Sequence, residues 1–371
     1  MKFTDRLNAL IHPLMVKYVC NSYDKKVIAD RRANPSLFVP VETAVLRRHR
    51  ELWGRFGIPI SDQWLRMLSG CSGFADYRFV PETVFYSVVE RCLNNCDAAG
   101  YNVEDKSTCL FYIPYEWRPQ TVLRYVRGVF FDGEMNAIPE KQAYELLHTW
   151  GKPLVGKPSM HSCGGSDVVR YHSAEDVSIE KIKRNFEGYV LQPVIEQEDK
   201  VSAFNPESLN TCRLMTFRRP WNGETTVIAG MLRMGCGGDV ADNLARGGIS
   251  VDIDNNGILG EFAYDHDFRR FTSHPRSGLS FKGRCIPYYS EMSSAVCNVA
   301  SHVPDYNLLS FDVVARPDGT PCIIEINACA QTLTQLQTCR PLFGEETESV
   351  VDWCEKNRPK LDRFNHFRTW Y

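Results

Sequence analysis

Three oxygen-bearing side chains near the end of the sequence have the types and the spacing of a metal site. Asp312 lies in an apolar stretch, Glu325 follows it after thirteen residues, and Asn327 follows two residues later. The turn sequence Pro317-Asp318-Gly319 between the two apolar stretches predicts a hairpin that brings the three side chains together. Because side chains alternate along a strand, Glu325 and Asn327 should share one face at a separation of about 6.7 Å.

Magnesium binding is the chemistry that this hairpin predicts. Mg²⁺ prefers oxygen ligands, takes one or two carboxylates, and completes its shell with water and substrate phosphate. Glu325, the middle ligand, is in a position to bridge two ions, while the same alternation should turn Ile324 and Ile326 into the core. The alternative is that Asp312 and Glu325 are polar positions on the solvent side of a half-exposed hairpin.

A lysine followed by a loop of small residues lies near the middle of the chain. The apolar strand predicted over 154–157 ends at Lys157, and the loop after it contains Ser159, Ser162, Gly164, Gly165 and Ser166. Glycines let backbone amides approach an anion closely, hydroxyls donate hydrogen bonds, and the lysine supplies positive charge, so the segment has the outline of a phosphate-binding loop. It does not match GxxxxGK[ST], which disfavours a P-loop fold. An ordinary connection between strands is the alternative.

Helices are predicted to dominate the first hundred residues and strands the second half. A helix should open near Pro81 and end by Asn94, with one apolar face made of Val84, Phe85, Val88, Val89, Cys92 and Leu93. Another helix should lie between Pro139 and Gly151. Strands are predicted over 154–157, 189–195, 211–217, 227–232, 308–314 and 322–327, a surface loop over 265–280, and a terminal helix with an aromatic tail from Glu345.

Composition and charge exclude several classes of protein. With 43 Lys and Arg against 45 Asp and Glu, the chain has no overall attraction to nucleic acid or to an anionic membrane. No apolar run approaches the roughly 20 residues of a membrane span, and Asp5 and Arg6 interrupt the N-terminus, which favours a cytoplasmic protein. The 14 cysteines include no CxxC pair, so we expect buried reduced thiols. The oligomeric state is not indicated.

The order of strand, lysine, glycine loop and terminal Asp-Glu-Asn hairpin resembles that of ATP-grasp enzymes. More narrowly, segments between residues 75 and 345 are similar to the branch called sugar-transfer-associated ATP-grasp proteins: 79–84, 93–95, 191–195, 208–213, 232–235 and 242–249. The resemblance implies an α+β class, with two α+β subdomains that grip ATP and a helical N-terminal region. It suggests a helical region over 1–105, a subdomain with the phosphate loop over 106–188, one with the hinge strand and metal hairpin over 189–345, and a terminal helix and tail over 346–371.

The resemblance also implies roles for individual residues. Lys106 and Lys157 would contact the ATP phosphates together with the loop of Gly164, Gly165 and Ser166. The main chain around Gln192 and Val194 would meet the adenine edge, and Arg213 and Arg233 would face the terminal phosphate, with Asn243 on the substrate side beside Arg246. For Arg213 the sequence supports such a role independently, because an arginine within an apolar strand requires a buried anionic partner.

An ATP- and Mg²⁺-dependent ligase is the activity that the resemblance implies. Members of the superfamily commonly transfer the terminal phosphoryl group of ATP to a carboxylate, and an amine then displaces phosphate to form a carbon–nitrogen bond. The name of the branch suggests surface polysaccharide biosynthesis, with a sugar acid or amino acid and a sugar-linked amine as small-molecule substrates. Two alternatives remain open: a small-molecule kinase that forms a phosphoester, and a nucleotide-binding assembly or regulatory protein without turnover. The absence of a GxSxG motif argues against a hydrolase.

Overall fold

The three-dimensional structure is a computed structural model that describes residues 24, 25, 28, 34–94, 103–160, 167–236, 244, 247–328 and 333–361. Two antiparallel sheets, one of six strands and one of seven, form the body of this part of the chain. The helices lie before, between and after the strands.

Within the described residues before the sheets there are three longer helices, in agreement with the predicted helical character of the first hundred residues. They are α1 (Thr43–Trp53), α2 (Asp62–Ser72) and α3, a continuous rod of three pieces (Glu82–Val84, Phe85–Val89 and Glu90–Leu93) whose middle piece is a π-helix. Ser61 caps α2 by accepting from the Gln63 N–H, and Gly73 ends it in the left-handed conformation. The six apolar residues predicted for one face of α3 are all buried.

The six-stranded sheet has one apolar and one polar face. Its order is β3-β2-β1-β6-β4-β5, and its helices α4 (Glu140–Thr149) and α5 (Ile179–Asn185) pack with Leu123, Leu154 and Leu191 in one apolar core. The opposite face carries Arg124, Lys157 and Gln192, because these residues alternate with the core positions. The strands are β1 (Leu123–Val126), β2 (Val129–Phe131), β3 (Ala137–Ile138), β4 (Leu154–Pro158), β5 (Val169–Tyr171) and β6 (Gly188–Pro193).

The seven-stranded sheet follows in the chain, with the order β11-β10-β9-β8-β7-β12-β13. A short helix α6 (Asp199–Ser202) precedes it, and α7 (Tyr289–Ser301) covers one of its faces. The opposite face packs partly on α3 and α9 (Thr347–Leu361) and partly on α8 (Leu333–Thr338). The strands are β7 (Thr211–Arg218), β8 (Thr225–Met234), β9 (Ile249–Ile253), β10 (Leu259–Tyr264), β11 (Arg270–Phe271), β12 (Leu308–Ala315) and β13 (Pro321–Asn327).

The metal hairpin that the sequence predicts is formed by β12 and β13, with one irregularity. Asp312 is opposite Glu325, whereas Val313 is opposite Ile323, so Ile324 is an extra, bulged residue. Ile326 is buried as expected, but Ile324 is only half-buried, and its predicted place in the core was therefore wrong. A bulge changes which residue points inward, and the alternation of the sequence alone does not reveal it.

Other elements agree with the sequence predictions in outline. The predicted loop over 265–280 contains the two-residue strand β11, and the predicted aromatic tail after Leu361 lies outside the described residues. Strand β6 pairs with β1 and β4, so the predicted boundary at residue 189 falls inside the six-stranded sheet. We propose to divide the two subdomains after Pro193 instead. No helix in the described part of the chain has the length and apolar character of a membrane span.

Candidate active site

A row of charged side chains crosses the seven-stranded sheet. Asp312 on β12 is opposite both Glu325 on β13 and Arg213 on β7, and directly opposed residues of antiparallel strands point to the same face. Arg213 donates through Nε and Nη2 to the two oxygens of Asp312, at 2.7 and 2.8 Å. The buried Arg233 on β8 adds a third contact, 3.3 Å from its Nη1 to Asp312 Oδ2.

Asp312 is therefore the buried anionic partner that Arg213 requires. Burial alone would raise the pKa of Asp312, but the charges of Arg213 and Arg233 and the hydrogen bonds from Arg213 outweigh it and lower this pKa to about 2. The carboxylate is ionised at neutral pH, and two guanidinium groups hold it in place.

Lys106 connects the two sheets. Its backbone N–H donates to the carbonyl oxygen of Ser159, just after β4, at 3.0 Å. Its ammonium group lies 3.2 Å from Oε1 of Glu325 on β13, and the side chain is only 5% exposed. The lysine that the resemblance assigns to ATP phosphate is thus paired here with a predicted metal ligand.

The polar face of the six-stranded sheet carries two further buried cations. Lys157 on β4 and Arg124 on β1 are both opposite Val190 on β6, so they lie in one row, two strands apart. Burial, and next the charge of Lys106, lower the pKa of Lys157 to about 8. Within the described residues, neither cation has a carboxylate within ion-pair distance; Arg124 instead donates to backbone carbonyls of 132 and 133, at 2.9 and 3.2 Å. Buried positive charge of this kind favours the binding of an anion.

The two predicted hinge residues lie at the end of β6. Gln192 shares the polar face with Lys157 and donates to the Thr121 hydroxyl at 3.1 Å. The Val194 N–H donates to the carbonyl oxygen of Pro153 at 3.4 Å. The side chain of Gln192 thus fixes the position of the strand.

Some of the predicted site residues cannot be placed. Gly164, Gly165 and Ser166 of the phosphate loop, and Asn243 with its neighbour Arg246, lie outside the described residues. Their roles stay predictions.

Asn94, at the end of α3, holds the chain directly after the metal hairpin and was missed as a site residue. Its side-chain amide donates to the carbonyl oxygens of Leu308 and Ala328, at 2.7 Å each, and its oxygen accepts from the Leu308 N–H at 2.9 Å. Glu104 accepts from the Ala328 N–H at 2.8 Å. The position of Asn327 is therefore fixed through the residue that follows it. The Leu93-Asn-Asn segment is part of the family resemblance. The sequence does not reveal the contacts of Asn94, because its partners are more than 200 residues away.

The oxygen atoms of the hairpin fit a magnesium ion. No group of three or more His, Cys, Asp or Glu side chains suitable for a metal occurs in the described part of the chain, so Asp312 and Glu325 need the amide of Asn327 as a third ligand. Among the described residues, the buried Asn327 Nδ2 has no hydrogen-bond partner, and Glu325 uses only Oε1. Rotating that amide by 180° would present its oxygen instead. Both oxygens of Asp312 accept hydrogen bonds from Arg213, and a carboxylate oxygen that accepts one hydrogen bond keeps a lone pair for a metal.

The sequence matches the family described as sugar-transfer associated ATP-grasp over residues 156–348, more than half of the chain. The protein therefore belongs to the ATP-grasp superfamily, in its sugar-transfer-associated branch. Its fold is accordingly the α+β ATP-grasp fold, with a helical N-terminal region.

Solved structures of ligases show a distant overall similarity. The D-alanine–D-alanine ligase from Bacillus anthracis is 11% identical, with a TM-score of 0.41 and coverage of 73% of this chain and 71% of that chain. The ATP-grasp ligase PsnB, in complex with a minimal precursor, Mg and ADP, is 11% identical, with a TM-score of 0.39 and coverage of 70% of this chain. The L-amino acid ligase from Bacillus licheniformis is 14% identical, with a TM-score of 0.35 and coverage of 63% of this chain. The alignment spans only 61% of PsnB and 42% of the L-amino acid ligase. No curated protein matches the sequence.

Proposed function

We propose that the protein is an ATP-dependent ligase that joins a carboxylate to an amine through an acyl phosphate. The observation that carries this proposal is the convergence of Arg213 and Arg233 on Asp312, in one row with Glu325 and opposite Lys106. Such a cluster combines fixed positive charge with oxygen ligands, the two requirements of phosphoryl transfer.

The polar face of the six-stranded sheet would bind the phosphates of ATP. Lys157 and Arg124 supply buried positive charge that no carboxylate of the described residues neutralises. The loop of Gly164, Gly165 and Ser166 would add backbone and hydroxyl donors. The adenine would lie against the main chain near Gln192 and Val194, at the end of β6.

In the first step, an oxygen of the substrate carboxylate attacks the terminal phosphorus of ATP, and ADP leaves. Arg213 and Arg233 would stabilise the negative charge on the transferred group, because their guanidinium groups are already held in place by Asp312. Glu325, Asn327 and Asp312 would hold one or two Mg²⁺ ions, which would supply further positive charge to the phosphates. No protein nucleophile is required.

In the second step, an amine attacks the carbonyl carbon of the acyl phosphate. A carbon–nitrogen bond forms, the bond from carbon to the bridging oxygen breaks, and phosphate leaves. We propose a sugar acid or an amino acid as the carboxylate and a sugar-linked amine as the nucleophile, as in surface polysaccharide biosynthesis. The use of ATP fits a cytoplasmic reaction on small molecules. Asn243 would lie on the substrate side.

The test is product analysis by mass spectrometry after incubation with ATP, Mg²⁺, pooled sugar acids and amino acids, and pooled amines. We expect ADP, phosphate and an amide, each only when both substrates are present. Asn327→Ala should abolish turnover, whereas Asn298→Ala, on the exposed face of α7, should leave it unchanged. Full turnover by the Asn327→Ala protein would contradict the proposal.

Hydroxylamine separates this reaction from the two alternatives. It converts an acyl phosphate into a hydroxamate but does not react with a phosphoester. A stable phosphorylated product without hydroxamate would indicate a kinase. Tight ATP binding without ADP formation across the whole pool would indicate a nucleotide-binding protein without turnover.

A further inference from the structure

The polar row of the seven-stranded sheet continues beyond the arginines. Met231 on β8 is opposite Arg213, and Asp252 on β9 is opposite Met231, so all three point to the same face. Two strand spacings separate Asp252 from Arg213, which places their backbones about 10 Å apart. In the neighbouring row, Ser250 is opposite Arg233, also on this face.

The side chains of Arg213 and Asp252 are both partly exposed, at 26% and 25%. Met231 between them is fully buried, and α8 packs over β8 and β9 beside it. The hydroxyl of Ser250 is buried and has no hydrogen-bond partner among the described residues. A partly exposed carboxylate therefore lies on the same face as the arginines, on the side away from Glu325.

Asp252 has one charged partner within ion-pair distance among the described residues. Arg340, after α8, lies 3.1 Å from Oδ1 and also donates to the carbonyl oxygen of Ile253 at 3.2 Å. Oδ1 makes no well-aligned hydrogen bond to any described residue, and the side chain of Asp252 is 25% exposed. The buried Oδ1 thus faces the charge of Arg340, which orients Asp252, while part of the side chain stays exposed.

The charged and titratable groups around Asp252 are few. Besides Arg340, those among the described residues are Asp254 on the same strand, Tyr289 of α7 and Cys339. Burial raises the pKa of Asp252 to about 6, even though the charge of Arg340 acts in the opposite direction. Asp252 is therefore largely ionised at neutral pH but accepts a proton more readily than an ordinary aspartate.

We propose that Asp252 binds the amine substrate and accepts its proton, and that Arg340 positions Asp252 for this role. The amine would bind between the partly exposed side chain of Asp252 and the acyl phosphate held by Arg213 and Arg233. This inference rests on the proposed ligase function and identifies the class of the second substrate as a cationic amine.

The step balances without any further reactant. The bound ammonium group loses a proton to the Asp252 carboxylate, and the resulting neutral amine attacks the carbonyl carbon. The carbon–nitrogen bond forms as the bond to the phosphate oxygen breaks, and inorganic phosphate leaves with that electron pair. Asp252 then releases its proton to solvent.

The experiment compares two nucleophiles in the Asp252→Asn protein. Hydroxylamine is largely uncharged at neutral pH and needs neither a counterion nor a base, whereas an alkyl amine is protonated and needs both. We expect Asp252→Asn to form hydroxamate from the pooled carboxylic acids within about threefold of the wild-type rate. Amide formation with the amine found by product analysis should fall at least about 100-fold, the usual contribution of general base catalysis.

Two further variants complete the test. Glu261→Gln removes a carboxylate from the neighbouring strand β10, where it pairs with Lys282 at the surface, and should change neither rate. Asp252→Glu keeps the carboxylate and should recover part of the amide rate, and it replaces the Asn variant if that protein does not fold. Equal losses with both nucleophiles, or amide formation by Asp252→Asn within threefold of wild type, would overturn the role of Asp252. Absence of hydroxamate with the wild-type protein would instead contradict the ligase function itself.

Discussion

The two sheets differ in whether their cationic side chains have carboxylate partners. On the seven-stranded sheet, Arg213 and Arg233 share the carboxylate of Asp312. On the six-stranded sheet, Lys157 and Arg124 are buried, but no carboxylate of the described residues pairs with either. One set of charges is paired within the protein, and we propose that the other is neutralised by a bound anion. The first would therefore fix geometry, while the second would provide affinity for a ligand.

This difference has a thermodynamic consequence. Removing one partner of a buried ion pair leaves the other charge uncompensated and destabilises the fold. Removing a buried cation that has no partner removes a desolvation cost instead. Substitutions on the two sheets should thus affect stability with opposite signs, although both impair function.

The largest effect is expected for Arg213→Met. Asp312 would keep only its longer contact to Arg233, so the free energy of unfolding should fall by about 3 kcal/mol. ADP formation should fall at least about 100-fold, because the variant loses charge at the transferred phosphoryl group. Urea denaturation and an ADP assay measure the two changes. As a control, Arg276→Met breaks the exposed pair with Glu207 and should lower the free energy of unfolding by less than about 1 kcal/mol. An equal loss in both variants would show that the pair of Arg213 with Asp312 contributes no more to stability than an exposed pair.

Lys157→Met should separate stability from binding. The nucleotide-free protein should be as stable as the wild type or more stable, since a buried unpaired charge is replaced by an apolar side chain of similar length. Its affinity for ADP, measured by calorimetry, should fall about 30-fold or more, which corresponds to the loss of a charge-assisted hydrogen bond to phosphate. A destabilised variant that binds ADP normally would assign Lys157 a purely structural role.

Asn94→Ala tests whether the clamp at the end of β13 positions the metal ligands. The substitution leaves backbone groups of Leu308 and Ala328 without partners and should lower the free energy of unfolding by about 2 kcal/mol. Mn²⁺ affinity in the presence of ADP, measured by electron paramagnetic resonance, should fall as well, because Asn327 is no longer held. Unchanged Mn²⁺ affinity in the folded variant would limit Asn94 to a structural role.

The smallest effect is a dependence of nucleotide binding on pH. Burial lowers the pKa of Lys157 to about 8, so its charge is lost as the pH rises through 8 and ADP affinity should then decrease, by up to about tenfold per pH unit. The stability of the nucleotide-free protein should change in the opposite direction. Above pH 8 the unfolded chain binds a proton that the folded protein has released, so this lysine makes the free energy of unfolding rise with pH until the unfolded lysine also titrates.

Calorimetric titrations between pH 7 and pH 9 measure the change in affinity. The Lys157→Met protein is the control, because it lacks the titrating group and its ADP affinity should be much less sensitive to pH. The same slope in both proteins would assign the effect to another group.

Local patterns in the sequence predicted much of the fold and part of the site. Alternation and turn residues were sufficient for the hairpin that carries Asp312, Glu325 and Asn327, and the apolar face of α3 follows from its periodicity. The burial of an arginine in a strand was enough to require an anionic partner. Each of these signals lies within a short segment. The family resemblance implied the rest, namely the fold and the roles of individual residues.

Features that depend on pairing across the chain could not be predicted. The bulge at Ile324 depends on the register between β12 and β13, and the contact of Asn94 with Ala328 joins segments 234 residues apart. The pairing of Lys106 with Glu325 likewise requires the two sheets to approach each other. Asp252 belongs to no sequence motif. Its proposed role follows from the strand register, which aligns it with Arg213.

Transfer of an isotope from the carboxylate to phosphate tests the central claim most directly. The carboxylate substrate found by product analysis is labelled with ¹⁸O and incubated with ATP, Mg²⁺ and the amine, and the released phosphate is examined by mass spectrometry. If Arg213 and Arg233 assist phosphoryl transfer to the carboxylate, each phosphate will carry one oxygen from that carboxylate. Phosphate without the label, formed at the same rate as the amide, would contradict an acyl phosphate.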